Sequence, residues 1–131
     1  FSGSGGADEP GRGAALGAPR TAPLAGGADD EVVCAAFEVA LAEMCERLQP
    51  CAVLLSAGFD GHRGDPLGGL RLSETGFARL TASAVRAARQ WSGGRLLSIL
   101  EGGFELEALA KSTRIHVEEL ADSAADHQAG D

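Results

Sequence analysis

An aspartate and a histidine stand two residues apart in the segment SAGFDGH (56–62). In an extended chain alternate side chains lie on the same face, so the side chains of Asp60 and His62 would lie next to each other. A carboxylate and an imidazole placed in this way could share a metal ion. The alternative is that Asp60 caps a turn and His62 lies exposed, because Asp-x-His also occurs by chance in loops. The spacing leaves both interpretations open.

Two short apolar runs are expected to position these residues. We predict parallel strands at 51–56 (CAVLLS) and 95–100 (RLLSIL), because continuous apolar runs are typical of strands covered on both faces. A helix between them would make a strand–helix–strand unit, whose strand ends meet at one edge, where open sheets bind ligands. The polar and aromatic residues that follow the two strands are therefore expected around one cleft: Asp60, His62, Asp65 and Phe104.

Helical periodicity flanks both predicted strands. A first helix is predicted from a cap at Asp29 or Asp30 to the residues before Pro50. A second helix can be capped by Ser73 and ends at Gly93, because glycine tolerates the conformation that follows a helix. A third apolar stripe predicts a helix after the second strand: Leu106, Leu109, Thr113 and Val117.

Composition divides the chain into three segments. Residues 1–28 are rich in Gly, Ala and Pro and predict an extended loop. Residues 29–120 carry the periodic and apolar segments and predict an α/β domain. Residues 121–131 are polar, and we expect this tail to be disordered. Because two strands make a poor sheet alone and the chain begins with Phe1 instead of Met, we expect it to be the latter part of a longer domain.

Charge and cysteine content exclude several classes of protein. The chain has 11 Lys and Arg against 19 Asp and Glu, a net charge of −8, and scattered basic residues, which disfavours direct nucleic-acid binding. No apolar run approaches the roughly 20 residues of a membrane span, so we expect no membrane partner. Cys34, Cys45 and Cys51 lack CxxC spacing, and we expect buried, reduced thiols in a reducing compartment.

Two longer segments resemble a known family. SAGFDGHRGDPLGGLRLSETGF (56–77) and GRLLSILEGGFELEALAKS (94–112) resemble the zinc-dependent histone deacetylases, above all class II members and bacterial acetylpolyamine amidohydrolases. FSGSGGADEPGRG (1–13) is similar to the Gly-rich segment after the family's central metal motif. The resemblance implies the C-terminal portion of an arginase-like α/β fold, with a parallel sheet and flanking helices.

The resemblance also implies roles for individual residues. Asp60 falls on the family's third zinc ligand, so Zn²⁺ is the expected cofactor of the complete domain. His62 falls on no ligand and is expected at the rim, which removes the Asp60–His62 pair. Asp65 is expected to hold its loop by hydrogen bonds. Pro66 matches the proline that follows this aspartate in the loop. Leu67 matches a position that lines the acyl-lysine channel, and Gly102 and Gly103 match glycines beside the catalytic site at the channel.

Phe104 departs from the family pattern. At this position the family has a Tyr that donates a hydrogen bond to the developing oxyanion, and Phe has the ring without the hydroxyl. Loss of one oxyanion donor costs about 10²–10³ in rate. The family's His pair and its two other zinc ligands also have no counterpart in this chain. We therefore expect the chain alone to be catalytically inactive and the complete enzyme to have reduced deacetylase activity.

Three functional hypotheses follow. The first is a fragment of a zinc-dependent deacetylase that hydrolyses the amide of acetylated protein lysine or of a small acetylated amine, in the cytoplasm, or in the nucleus if eukaryotic. The second is a degenerate deacetylase-like module that binds such a group, or a protein, without turnover. The third is a structural α/β fragment without a ligand.

Overall fold

The computed structural model of the chain describes Gly13 and residues 20–128, with side chains as far as residue 122. Five elements follow one another in sequence: α1 (Asp30–Leu48), β1 (Val53–Gly58), α2 (Glu74–Ser92), β2 (Leu96–Gly102) and α3 (Leu106–Gln128). β1 and β2 pair in parallel, and α2 connects them. The predicted strand–helix–strand unit and the α/β fold class are confirmed.

Side-chain caps set the starts of two helices. Asp29, and not Asp30, caps α1, because its carboxylate accepts a hydrogen bond from the N–H of Val32 at 3.2 Å. Ser73 caps α2 as predicted, accepting from the N–H of Gly76 at 3.3 Å. Asp30 instead accepts hydrogen bonds from both the N–H and the hydroxyl of Ser73. Ser73 therefore both caps α2 and joins it to the start of α1 through Asp30.

Both strands extend into the glycines that follow the predicted apolar runs, as far as Gly58 and Gly102. Pairing begins where the N–H of Val53 donates to the carbonyl of Arg95 at 2.9 Å. Just past the ladder, the N–H of Phe59 donates to the carbonyl of Gly102 at 2.8 Å. The strand ends are set by backbone hydrogen bonds, and a glycine has the same backbone donor and acceptor as an apolar residue.

The three helices lie on one face of the sheet. Side chains from both layers line one small cavity on this helix-covered face, among them Phe37, Leu55, Ala57, Leu80 and His116. The other side of the sheet, here called the open face, has Leu54, Leu97 and Ile99 at 74%, 55% and 50% exposed. Cover on both faces was expected from the apolar runs. The described helices supply it on one face only.

The hydrophobic core lies beneath the carboxyl end of β1. Its buried cluster is Ala28, Val33, Phe59, Leu72 and Phe77. The rings of Phe59 and Phe77 meet edge to face with centroids 5.0 Å apart, a favoured aromatic geometry. The core therefore supports the loop that leaves β1.

The chain ends differ from expectation at the tail. α3 continues to Gln128, so helix replaces the expected disorder over residues 121–128. Alanines and the lack of Gly or Pro in this stretch favour continued helix. Of the predicted N-terminal loop, residues 20–28 form turns and irregular backbone, while 1–12 and 14–19 lie outside the described residues.

The cysteines are all free, but they are not all buried. Cys34 and Cys45 are buried in α1, and burial raises the pKa of both thiols. Cys51 is exposed, contrary to expectation. It lies before β1 begins, in the connection after α1, where its carbonyl accepts a hydrogen bond from Arg95 Nε at 2.7 Å.

Candidate active site

The carboxyl edge of the sheet presents an exposed carboxylate. Asp60 follows β1 and is exposed. A Cβ added to Gly58 would lie 3.0 Å from Asp60 Oδ1, so this carboxylate lies against the end of its own strand. Asp60 therefore stands at the edge where parallel sheets bind ligands, with its oxygens available to an external partner.

The loop after β1 folds back onto Asp60. A Cβ added to Gly68 would lie 1.8 Å from the carbonyl oxygen of Asp60, so only glycine fits at this position. Leu70 and Leu72 of the same loop pack into or against the core. Asp60 therefore lies between the end of β1 at Gly58 and the returning loop at Gly68.

Asp65 is the most heavily hydrogen-bonded side chain of this edge. Its Oδ1 accepts from the N–H groups of Leu67 and Gly68, at 2.9 and 3.1 Å. Its Oδ2 accepts from the N–H groups of Phe104 and Glu105, at 2.7 and 3.3 Å. One buried carboxylate thus joins the loop after β1 to the turn after β2.

These contacts keep Asp65 ionised. Burial of its carboxyl favours the neutral acid, but the four N–H donors outweigh that effect and hold the pKa of Asp65 below its usual range. All of its partners are donors, which an ionised carboxylate satisfies fully.

Two large apolar side chains are exposed beside this carboxylate. Leu67 is 56% exposed and Phe104 is 61% exposed, although the backbone of each is bonded to Asp65. Pro66, between Asp65 and Leu67, is exposed as well. The edge thus offers apolar surface from two separate loops.

The two glycines before Phe104 differ in their constraints. Gly103 has φ of 152°, and an added Cβ would lie 3.0 Å from the side chain of Leu109 and 3.4 Å from that of Phe59. Gly102 has open space around an added Cβ and serves as a strand residue. Glycine is therefore required at 103 for both conformation and packing.

His62 lies in the interior and not at the rim. It is 7% exposed, and its ring stacks on Phe77 with centroids 6.4 Å apart. Its Nδ1 accepts from the N–H of Gly64 at 3.0 Å, and Nε2 lies 3.6 Å from Glu74 Oε2, beyond hydrogen-bond distance. The expected rim position is wrong, because stacking and the Gly64 bond turn the ring into the core.

A buried polar network on the helix-covered face escaped the sequence analysis. Thr81 donates to the carbonyl of Phe77 at 2.8 Å and so accepts from His116 Nδ1 at 2.7 Å. The other ring nitrogen then accepts from the hydroxyl of Ser98 at 2.8 Å. Burial lowers the pKa of His116. Its place seven residues after Leu109, on the apolar stripe of α3, was the available signal.

The donor set fits part of a zinc site. Asp60 offers an exposed carboxylate, which is a regular zinc ligand. Among the described residues no three His, Cys, Asp or Glu side chains are grouped so as to hold a metal ion. A zinc ion at Asp60 would therefore need further ligands from outside the described residues. The Gly-rich segment 1–13, also matched to the family, lies outside the described residues except for Gly13.

Sequence comparison identifies a family match along most of the chain. The histone deacetylase domain matches residues 1–120. Histone deacetylase 10, chloroplastic, of Oryza sativa subsp. japonica is 37% identical over 112 residues, covering 86% of this chain and 25% of that protein.

Solved structures show the same architecture. A crystal structure of the HDA15 HD domain superimposes with a TM-score of 0.82 and 33% identity, covering 92% of this chain and 33% of that one. The acetylpolyamine aminohydrolase from Burkholderia pseudomallei gives a TM-score of 0.75 and 28% identity, covering 89% of this chain and 32% of that one. The chain spans about a quarter to a third of the length of these relatives.

Proposed function

This chain belongs to the histone deacetylase domain family, and we propose that it supplies one edge of the active site of a zinc-dependent deacetylase. The reaction is hydrolysis of the amide of acetylated protein lysine or of a small acetylated amine. The observation that carries the proposal is the exposed Asp60 carboxylate at the end of β1, with the apolar side chains of Leu67 and Phe104 exposed at the same edge.

Each of these residues has a distinct part in the proposal. When bound, zinc would supply Lewis-acid polarisation of the amide carbonyl. Asp60 would hold the ion as one ligand of the complete set. Leu67 and Phe104 would pack along the aliphatic part of the substrate, because their exposed surfaces are apolar. Gly103 keeps the turn before Phe104 free of a side chain.

Position 104 offers no donor to a developing oxyanion. The Phe104 side chain has no hydroxyl, and its backbone N–H is already bonded to Asp65 Oδ2 at 2.7 Å. We therefore propose that the complete enzyme is weakened at this step, and that the chain alone, without the remaining ligands and the His pair, is inactive. The same observation favours a second candidate, a module that binds an acetylated lysine or amine without turnover.

The first test uses the complete domain, meaning this chain together with the coding sequence upstream of Phe1. Zinc content and deacetylation of an acetyl-lysine peptide and of an acetylated polyamine are measured for the parent and for Asp60→Asn. We expect the variant to lose most bound zinc and the remaining activity. Asp122→Asn, an exposed carboxylate on α3, is the matched control. Unchanged zinc content in Asp60→Asn would sink the proposal, as would an upstream sequence without an Asp-x-His motif and a His pair.

The second test separates the two candidates. Phe104→Tyr in the complete domain restores the missing hydroxyl, and an enzyme lacking only that donor should gain about 10²–10³ in rate. A domain that binds an acetylated peptide but gains no turnover favours the binding module. The relative gain on the peptide and on the acetylated polyamine also indicates the substrate class.

The location of the protein stays a prediction. In the part of the chain that the structure describes, none of the helices combines the length and apolar character needed to cross a membrane. We propose a cytoplasmic location, or a nuclear one if the source is eukaryotic, from the reduced cysteines. Fractionation of cells that express the complete protein tests it.

A further inference from the structure

We propose that Asp65 is a positioning residue that sets the distances between Asp60, Leu67 and residue 104. Its consequence for catalysis deepens the proposed function and rests on it. Asp65 does not touch substrate in this account. It acts through backbone N–H groups, each of which belongs to a loop residue of the candidate active site.

The first link is within the loop after β1. Asp65 Oδ1 accepts from Leu67 N–H at 2.9 Å and Gly68 N–H at 3.1 Å, which closes a tight turn around Pro66. Aspartate is favoured in such turns because its side chain can bond backbone two residues on. The turn fixes the backbone from which the Leu67 side chain projects into solvent.

The second link crosses to the turn after β2. Asp65 Oδ2 accepts from Phe104 N–H at 2.7 Å and Glu105 N–H at 3.3 Å. That turn is also bonded to the start of α3, because the Glu105 carboxylate accepts from the N–H groups of Glu107 and Ala108 at 3.1 and 2.6 Å. Asp65 therefore ties its own loop to the start of a helix and not to a free segment.

The third link reaches the candidate zinc ligand. Gly68, held by Asp65 Oδ1, lies so close to Asp60 that a Cβ at Gly68 would be 1.8 Å from the Asp60 carbonyl oxygen. A shift of the turn at Gly68 would therefore displace the Asp60 backbone, since close-packed groups transmit displacement. One carboxylate thus connects the residues that we assign to metal binding, to the channel wall and to the oxyanion position.

The chemistry of Asp65 suits this task better than that of its isostere. All four of its partners are donors, so a group that only accepts hydrogen bonds satisfies them all. In Asp65→Asn the amide NH₂ would face either the Phe104 and Glu105 N–H groups or those of Leu67 and Gly68. One of the two loops would then lose its acceptor, and the link between them would open.

The test uses three variants of the complete domain. Asp65→Asn keeps the size of the side chain, and Asp65→Ser, as a second route if the first does not fold, can bond the local turn but is too short to reach Phe104. Asp30→Asn is the matched control. Asp30 likewise accepts a backbone N–H across two elements, from Ser73 at 2.7 Å, but it joins the starts of α1 and α2.

Residue-resolved hydrogen exchange is the first measurement, and it does not depend on activity. In Asp65→Ser we expect faster exchange of the Phe104 and Glu105 amides. In Asp65→Asn we expect faster exchange of that pair or of the Leu67 and Gly68 amides, depending on which pair faces the new NH₂ group. The Ser73 amide should be unchanged in both variants. Asp30→Asn should leave all four of these amides unchanged. Protection of the Phe104 and Glu105 amides that persists in a folded Asp65→Ser, or protection of all four amides that persists in a folded Asp65→Asn, would overturn the proposal.

The second measurement asks whether the link matters for the reaction. The rate gain from Phe104→Tyr is measured with Asp65 present and with Asp65→Asn, and with Asp30→Asn as control. We expect the gain of about 10²–10³ to fall at least tenfold with Asp65→Asn, mainly in kcat, and to persist with Asp30→Asn. An equal gain in all three backgrounds would overturn the positioning role and leave the proposed function intact. No gain in any background would instead overturn the proposed deacetylase, and hydrogen exchange would still decide the role of Asp65.

Discussion

The two faces of the sheet differ in how much of their environment the chain itself supplies. On the helix-covered face, Phe59 and Phe77 are buried and the polar groups of His116 are bonded by Thr81 and Ser98. On the open face, Leu54 is 74% exposed. The loop after β1 packs against the core of the covered face, because Phe59 and Leu72 of this segment belong to the buried cluster. The described residues therefore complete the layer beneath the candidate active site but leave the open face of the sheet uncovered.

The largest expected effect is on the carboxyl edge. Gly68→Ala places a Cβ against the Asp60 carbonyl, at 1.8 Å before relaxation, and we expect it to lower the free energy of unfolding of the complete domain by about 3 kcal/mol or more. Gly69→Ala is the matched control, since an added Cβ there has open space, and should stay within about 0.5 kcal/mol. Urea unfolding measures both. Equal effects would show that the loop is not confined as described.

A smaller effect is expected from the buried network of the covered face. Thr81→Val removes the partner of His116 Nδ1, and an orphaned buried donor costs about 1–3 kcal/mol. Thr113→Val is a matched control in the same layer, because Thr113 Oγ1 is buried without a partner among the described residues. It should be neutral or stabilising. Urea unfolding measures the free energy of unfolding of both variants. A larger loss in Thr113→Val than in Thr81→Val would contradict the network.

The titration of His116 gives a pH-dependent version of this test. Burial lowers its pKa in the folded state, so below the ordinary His pKa of about 6.5 the unfolded chain binds more protons than the folded one. The contribution of neutral His116 is constant above that pH and is lost as the pH falls towards the folded pKa. Urea unfolding at several pH values should show a loss of stability on acidification that is reduced in His116→Gln. The same pH dependence in both proteins would argue against a buried neutral His116.

The smallest effect in this chain is expected on the open face. Leu54→Ala removes an exposed side chain and should change the stability of the chain by less than about 0.5 kcal/mol. In the complete domain, where further structure would cover this face, the same substitution should cost about 2–5 kcal/mol. We also expect the chain alone to be only marginally stable. A cooperative melt above mesophilic temperatures as a monomer, or a large Leu54→Ala effect in the chain, would remove the distinction between the faces.

Local patterns predicted the elements well and the burial of single side chains less well. The Ser73 cap and the parallel strand–helix–strand order follow from signals within a few residues of each element. The rim position expected for His62 was wrong, because stacking on Phe77 is a contact between separate segments. Cys51 was expected to be buried, but the start of β1 depends on pairing with the distant Arg95.

The sequence by itself determined the order of the elements, the family resemblance and the chemistry available at the carboxyl edge. These follow from residue type and spacing, which need no partner to be recognised. Only the tertiary structure decided that Asp65 bonds Phe104 and that Gly68 lies against Asp60. Those contacts join positions whose proximity depends on strand register and loop closure, and neither is encoded in the residues of one segment alone.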